Sequence, residues 1–149
     1  MNQTFNKIDL AIAGFMHRWG IAALRWALAI IFIWFGALKP FGLSPAEGLL
    51  KATVDNLPFF NQNQWLHIIG WWEVAIGVTF LFRKTLRIAI GLLALQMAGT
   101  FMPLVMLPEF TWQHFPYAPT IEGQYIIKNL LIIAAALVVG GTVRRGDRI

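Results

Sequence analysis

A chain of 149 residues has room for one compact domain and no more. Its composition excludes an ordinary soluble globule, because 58% of residues are hydrophobic and 13% charged, against about 25% charged in a typical soluble domain. Twelve Lys and Arg against seven Asp and Glu leave a net charge of +5, but the basic residues gather at the ends of apolar runs, which marks membrane topology rather than nucleic-acid binding.

The N-terminal arm places Phe5, Ile8, Ile12, Phe15, Met16 and Trp19 at helical spacing, with Lys7, Asp9 and Arg18 off that stripe. This predicts an amphipathic helix lying on the cytoplasmic surface of a membrane. A cleavable signal peptide is not expected, since the first long apolar run begins near Ile21 and is followed by Lys39 and Pro40 rather than a small-residue cleavage site. A hydrocarbon core needs ~20 helical residues, and four segments supply them, at about residues 21–38, 65–82, 86–107 and 124–143. The sequence thus predicts an all-α integral membrane protein, a four-helix transmembrane bundle forming one domain over residues 1–149. Between the first two spans, Ser44-Pro45-Ala46-Glu47 has the pattern of a capping box, and Leu49, Leu50, Val54 and Leu57 form an apolar stripe behind it. A short helix on the outer face is predicted there. The aromatic connection from Pro108 to Pro119 reads as an interfacial belt.

Loop charges set the orientation. Arg83, Lys84 and Arg87 sit between the second and third spans, Arg144, Arg145 and Arg148 follow the fourth, and Lys7 and Arg18 precede the first. The connection from Leu107 to Gln124 has no Lys or Arg. The positive-inside rule then puts both termini in the cytoplasm, against a weak dissent from Lys39 and Lys51.

Polar residues inside the spans are the informative positions, because a charged side chain at the bilayer centre costs ~2.5–3.5 kcal/mol on insertion scales. Glu73 shares a helix face with Gly70 and Gly77 and is expected to point into the bundle. Lys128 enters the fourth span at similar depth and is the expected partner of Glu73. Lys39 closes the first span near the same level, and Gln96 and Thr100 share a face of the third. Pro103 frees a carbonyl near residue 99, which Thr100 or Gln96 is placed to satisfy. Trp34, Trp71 and Trp72 are candidate walls for this cluster, with belt or lipid-facing positions as the alternative. Arg25 reads as an anchoring residue that snorkels to the inner interface. With no cysteine, disulfides, thiolate ligation and iron–sulfur clusters are excluded. His17, His67 and His114 do not face one another at membrane depth, which disfavours a bis-His haem, and no metal site is expected.

The string Arg25-Trp-Ala-Leu-Ala-Ile-Ile-Phe-Ile-Trp-Phe-Gly36-Ala-Leu-Lys39 resembles the opening signature of the DoxX-like membrane proteins. Glu73 followed by Gly77 is similar to the second helix of that family. The Thr-Phe-Met-Pro-Leu-Val stretch and the run from Glu122 through Lys128 resemble the branch of the reactive-chlorine-resistance protein C type. The resemblance implies a four-helix bundle in the bacterial inner membrane. Some relatives are linked to sulfide or thiosulfate oxidation feeding quinone, and others to oxidative-stress defence. The first outer connection is shorter here than the branch tends to have.

Three function classes remain. The first expectation is a redox- or oxidative-stress-associated membrane subunit that binds a quinone-like molecule in the outer half of the bundle. Glu73 would then relay protons, with Lys128 and Lys39 tuning it or holding an anionic head group. The alternatives are a non-catalytic scaffold or assembly partner, and a small transporter whose charged pair gates a path. The partners expected are the lipid bilayer and either further copies of the chain or a redox protein. Whether the chain is an enzyme stays open.

Overall fold

In the computed structural model, residues 3–55 and 57–143 are described, and 78% of the chain is helical. Arg144, Arg145 and Arg148, which carry part of the orientation argument, lie outside the described residues. Helix α1 spans Gln3–Leu38, α2 Glu47–Val54 and α3 Gln62–Leu81; a single 3₁₀ turn over Arg83–Thr85 leads into α4, Leu86–Phe101. The short helices α5 (Pro103–Met106) and α6 (Pro108–Thr111) precede the strands β1 (Trp112–His114) and β2 (Ala118–Pro119). Helices α7 (Ile121–Ile127) and α8 (Asn129–Gly140) complete the described chain.

Three helical segments are long and apolar enough to cross a membrane: Phe5–Leu38, Arg83–Met106 and Ile121–Gly140. The expected second span, α3, has the length at 20 residues. Its opening Gln62, Asn63 and Gln64, with His67 and Glu73 further on, leave it less apolar than the other three. The exposed surface is correspondingly oily. Leu131 is 76% and Val105 84% exposed, whereas the side chains turned inward at Leu28, Ala29, Phe32, Ile76, Phe80, Leu93 and Val139 form one core.

Two expected elements differ in detail. The N-terminal arm is helical, but it is not a separate element: α1 runs 36 residues without interruption, ~54 Å at 1.5 Å per residue. Neither Gly14 nor Gly20 breaks it, since one glycine costs a helix only ~1 kcal/mol and no proline lies between them. The short helix expected between the first two spans exists as α2, but Ser44 does not cap it. Ala46 holds the cap position without a side-chain hydrogen bond, and Glu47 instead pairs with Lys51 one turn on, at 2.7 Å. A complete capping box sits at α3, where the Asn61 side chain accepts from the Gln64 amide (2.8 Å) and the Asn61 amide donates to the Gln64 side chain (3.0 Å).

Helices α1 and α3 make the most extensive contact of the fold, and glycine permits it. A Cβ placed on Gly77 would lie 2.7 Å from the Ala29 carbonyl oxygen, and one on Gly70 2.8 Å from the Gly36 carbonyl oxygen. Backbones this close gain dispersion contacts along the whole crossing, which is how helices associate where no hydrophobic drive separates them from their solvent. The face carrying Gly70, Glu73 and Gly77 therefore meets α1, as its small residues predict.

Proline sets the break after α4. Pro103 has no N–H to continue the ladder, so the Met102 amide turns back to the Gly99 carbonyl at 3.2 Å. That carbonyl is satisfied by backbone, not by Thr100 or Gln96 as the sequence suggested; the Thr100 hydroxyl donates to the Gln96 carbonyl of its own helix. The aromatic connection folds into a small antiparallel hairpin pairing Trp112 with Pro119. It is pinned by the Trp112 indole N–H on the Leu104 carbonyl (3.0 Å), and by Gly123, whose bare Cα lies against the Thr111 carbonyl.

Candidate functional site

The chain leaves α1 through a tight turn. The Leu43 amide reaches back to the Leu38 carbonyl at 3.0 Å, and Gly42 takes φ +66°, a left-handed conformation that glycine adopts without steric cost. This turn holds Lys39 one residue past the helix end, where its ammonium bends back along α1. It donates to the Oε2 of Glu73 on α3 and lies 3.5 Å from the Phe35 carbonyl. The second carboxylate oxygen of Glu73, Oε1, accepts from the Gln96 side-chain amide of α4 at 2.9 Å. One carboxylate thus ties three helices, and the side chains of Lys39 and Glu73 are only 10% and 13% exposed.

Trp72, next to Glu73, reinforces the same α3–α4 contact: its indole N–H donates to the Leu92 carbonyl at 3.3 Å. Leu92 and Gln96 are one turn apart on α4, so consecutive residues of α3 grip successive turns of its neighbour. A Lys–Glu pair with a neutral amide completing the carboxylate is formally neutral as a unit. Attraction between charges in a low-dielectric setting offsets the cost of withdrawing both from water when the geometry is close and the remaining lone pairs are satisfied.

Of the residues expected here, Lys39, Glu73, Gln96 and Trp72 converge. Lys128 does not. It is exposed at the junction of α7 and α8 with its ammonium 5.4 Å from the centre of its neighbour Tyr125's ring. The expected Glu73–Lys128 pair is therefore replaced by Glu73–Lys39. The physical reason is helix packing: α3 lies along α1, and its carboxylate face turns there rather than toward α7. Trp34, 64% exposed, and Trp71 face away from the cluster and form no wall for it. Thr100 bonds its own helix, and Pro103 is buried at the head of α5. Arg25 lies half-buried on the face of α1 that also carries Ala29, Phe32 and Gly36. Its Nε has no hydrogen-bond partner among the described residues.

Two surface clefts occur elsewhere. One of about 420 Å³ is lined by Phe60, Asn61, Asn63, Gln64, His67 and Ile68 at the start of α3. The other, about 430 Å³, lies between Arg87, Ile90 and the end of α8. Neither is lined by Lys39, Glu73 or Gln96.

No family model, curated protein or solved structure matches this chain.

Sequence reasoning missed what Gly36 does. A Cβ there would lie 2.8 Å from the Glu73 Cβ, so the missing side chain on α1 is what admits Glu73 to the helix contact. The signal was present in the spacing: Gly36 and Lys39 lie three residues apart on one helix, so a carboxylate packed on the first falls beside the second.

Proposed function

We propose that the chain is a DoxX-like four-span protein of the bacterial inner membrane, with α1, α3, α4 and the α7–α8 pair crossing the bilayer and both termini in the cytoplasm. Three of these four segments are long and apolar enough to do so. The fourth, α3, is packed lengthwise on α1 and carries its one acidic residue neutralised. Arg83, Lys84 and Arg87 at the α3–α4 connection, against no Lys or Arg from Leu107 to Gln124, support the direction.

Within that setting the chain acts as a non-catalytic membrane scaffold or assembly subunit, and Lys39, Glu73 and Gln96 fix the packing of its helices. The observation that carries this reading is that both oxygens of Glu73 are taken up by groups of the chain itself. With Lys128 turned elsewhere, the cluster has no second cation among the described residues to hold an anionic head group. The test replaces the chromosomal copy with the double variant Lys39→Met, Glu73→Gln and compares it with a deletion strain. A scaffold keeps the wild-type phenotype as long as the protein level is unchanged. Loss of the phenotype at normal protein level contradicts the reading.

One observation favours a second reading. The Lys39 and Glu73 side chains keep 10% and 13% exposure, and a quinone-like molecule dissolved in the bilayer would meet the pair at that edge. In that case the chain is a redox-associated subunit, and protein extracted in mild detergent carries quinone that Glu73→Gln releases. Protein free of quinone, with no response to added ubiquinone, removes this alternative.

A further inference from the structure

The first half of α1 packs against nothing among the described residues. Every residue from Phe5 to Ile21 is exposed, although Phe5, Ile8, Leu10, Ile12, Phe15, Met16 and Trp19 are all large and apolar. A helix of ~54 Å is far longer than the ~30 Å hydrocarbon core needs. The surplus falls at this end, because the core contacts of α1 begin near Leu24. A helix lying flat on a membrane must turn sharply where it joins a span, and α1 is continuous through that junction at Gly20.

Most of the large apolar positions follow one order, with Leu10 and Met16 outside it. Phe5, Ile8, Ile12, Phe15, Trp19, Ala22 and Trp26 are separated by three, four, three, four, three and four residues. This is the a/d spacing of a coiled-coil seam. Seen down the axis at ~100° per residue, the seam lies roughly 100° around the helix from the direction in which Ala29, Phe32 and Gly36 enter the bundle. Two copies joined along it therefore carry their bundles on different sides and do not collide.

We propose that this seam is a dimer interface, occupied by the same segment of a second copy running parallel and in register. Parallel packing is what two copies in one membrane, related by an axis along its normal, impose. Charge is compatible with it. In the positions flanking the seam, Arg18 of one copy faces Ala23 of the other and Ala11 faces Met16, so no like charges meet there. The area is sufficient. At ~200 Å² for a buried aromatic, Phe5, Phe15 and Trp19 of two copies, each 53–65% exposed, bring roughly 700 Å². Ile8, Ile12 and Trp26 carry the total to the ~1,000 Å² that a specific interface requires.

The chain has no cysteine, so single cysteines report the contact cleanly. Phe5→Cys and Ile12→Cys are placed on the seam, and Leu10→Cys lies about 180° from it on the same helix. Copper-phenanthroline oxidation of membranes holding each full-length variant is expected to give a disulfide dimer for Phe5→Cys and Ile12→Cys, and at least tenfold less for Leu10→Cys. Cross-linking of Ile12→Cys without Phe5→Cys means an antiparallel pair and overturns the register. Equal yields at all three positions, or none, overturn the interface. A nitroxide on Ile12→Cys reporting acyl-chain depth without spin–spin broadening means the helix lies in lipid, and also overturns it. A second variant guards against misfolding: Phe15→Glu is expected to turn a detergent-purified dimer into a folded, monodisperse monomer. A dimer that survives that change contradicts the proposal.

Discussion

Gly36 on α1 lies directly under Glu73 on α3, close enough that a Cβ on the glycine would sit 2.8 Å from the Glu73 Cβ. Lys39 follows three residues later, and its ammonium closes on the carboxylate that Gly36 has let in. The ion pair is thus a consequence of a packing decision. Gly70 and Gly77 on the other side of the contact extend the same close approach over two turns.

Filling that contact is expected to be expensive. Gly36→Ala and Gly77→Ala each place a methyl against backbone or a main-chain-adjacent atom that cannot move away, at 2.7–2.9 Å. A loss of about 1–3 kcal/mol is predicted for each. Gly91 on α4 has nothing within 4 Å of its built Cβ, so Gly91→Ala should gain up to about 1 kcal/mol from helix propensity alone. Thermal unfolding of the three variants in one detergent checks the sign.

Lys128 should prove dispensable to the fold. It is exposed, and its aromatic contact with Tyr125 is worth about 0.5–1 kcal/mol. Lys128→Ala is predicted to shift stability by no more than that, and to leave the Glu73 environment unchanged in an infrared carboxylate spectrum.

The start of α3 rests on the reciprocal bonds between Asn61 and Gln64. Asn61→Ala should cost about 1 kcal/mol. Hydrogen exchange should rise at the Gln64 amide and its neighbours while the core of α3 stays protected.

Orientation is open to direct chemistry because the chain has no native thiol. In intact cells, a membrane-impermeant maleimide is expected to label Gln113→Cys in the β1 hairpin. Lys84→Cys between α3 and α4 should react only after permeabilisation. The reverse pattern inverts the proposed topology.

Helix positions were largely legible in the chain because apolar length and loop charge are local signals. The junction at Gly20 was not: the arm's amphipathic stripe and the span's all-round apolarity look like two elements, and nothing in that pattern records that the backbone passes between them unbroken. Ser44-Pro45-Ala46-Glu47 showed a local pattern stronger than the geometry realised, since Glu47 is held by Lys51 instead. Asn61-x-x-Gln64 carried the same kind of signal and did form its box. In the site, Glu73 was identifiable by its cost, and Gln96 by its place on the facing helix. The sequence pairs Glu73 with Lys128 because Lys39 and Lys128 fall at the same expected depth along their spans, whereas azimuth is set by which helices touch. That choice is made by Gly36, Gly70 and Gly77 acting together, across a separation of more than thirty residues.

If Lys39 and Glu73 act on each other as one structural unit, a double-mutant cycle on the pair shows it. Unfolding free energy in detergent is measured for Lys39→Met, Glu73→Gln and the double variant. Each single change leaves a buried charge without its partner and is predicted to cost about 3–5 kcal/mol. The double variant is predicted to recover most of that, lying within about 1–2 kcal/mol of the parent, a coupling well beyond the ~0.5 kcal/mol of independent sites. Single costs that simply add in the double variant would mean that the two residues act independently.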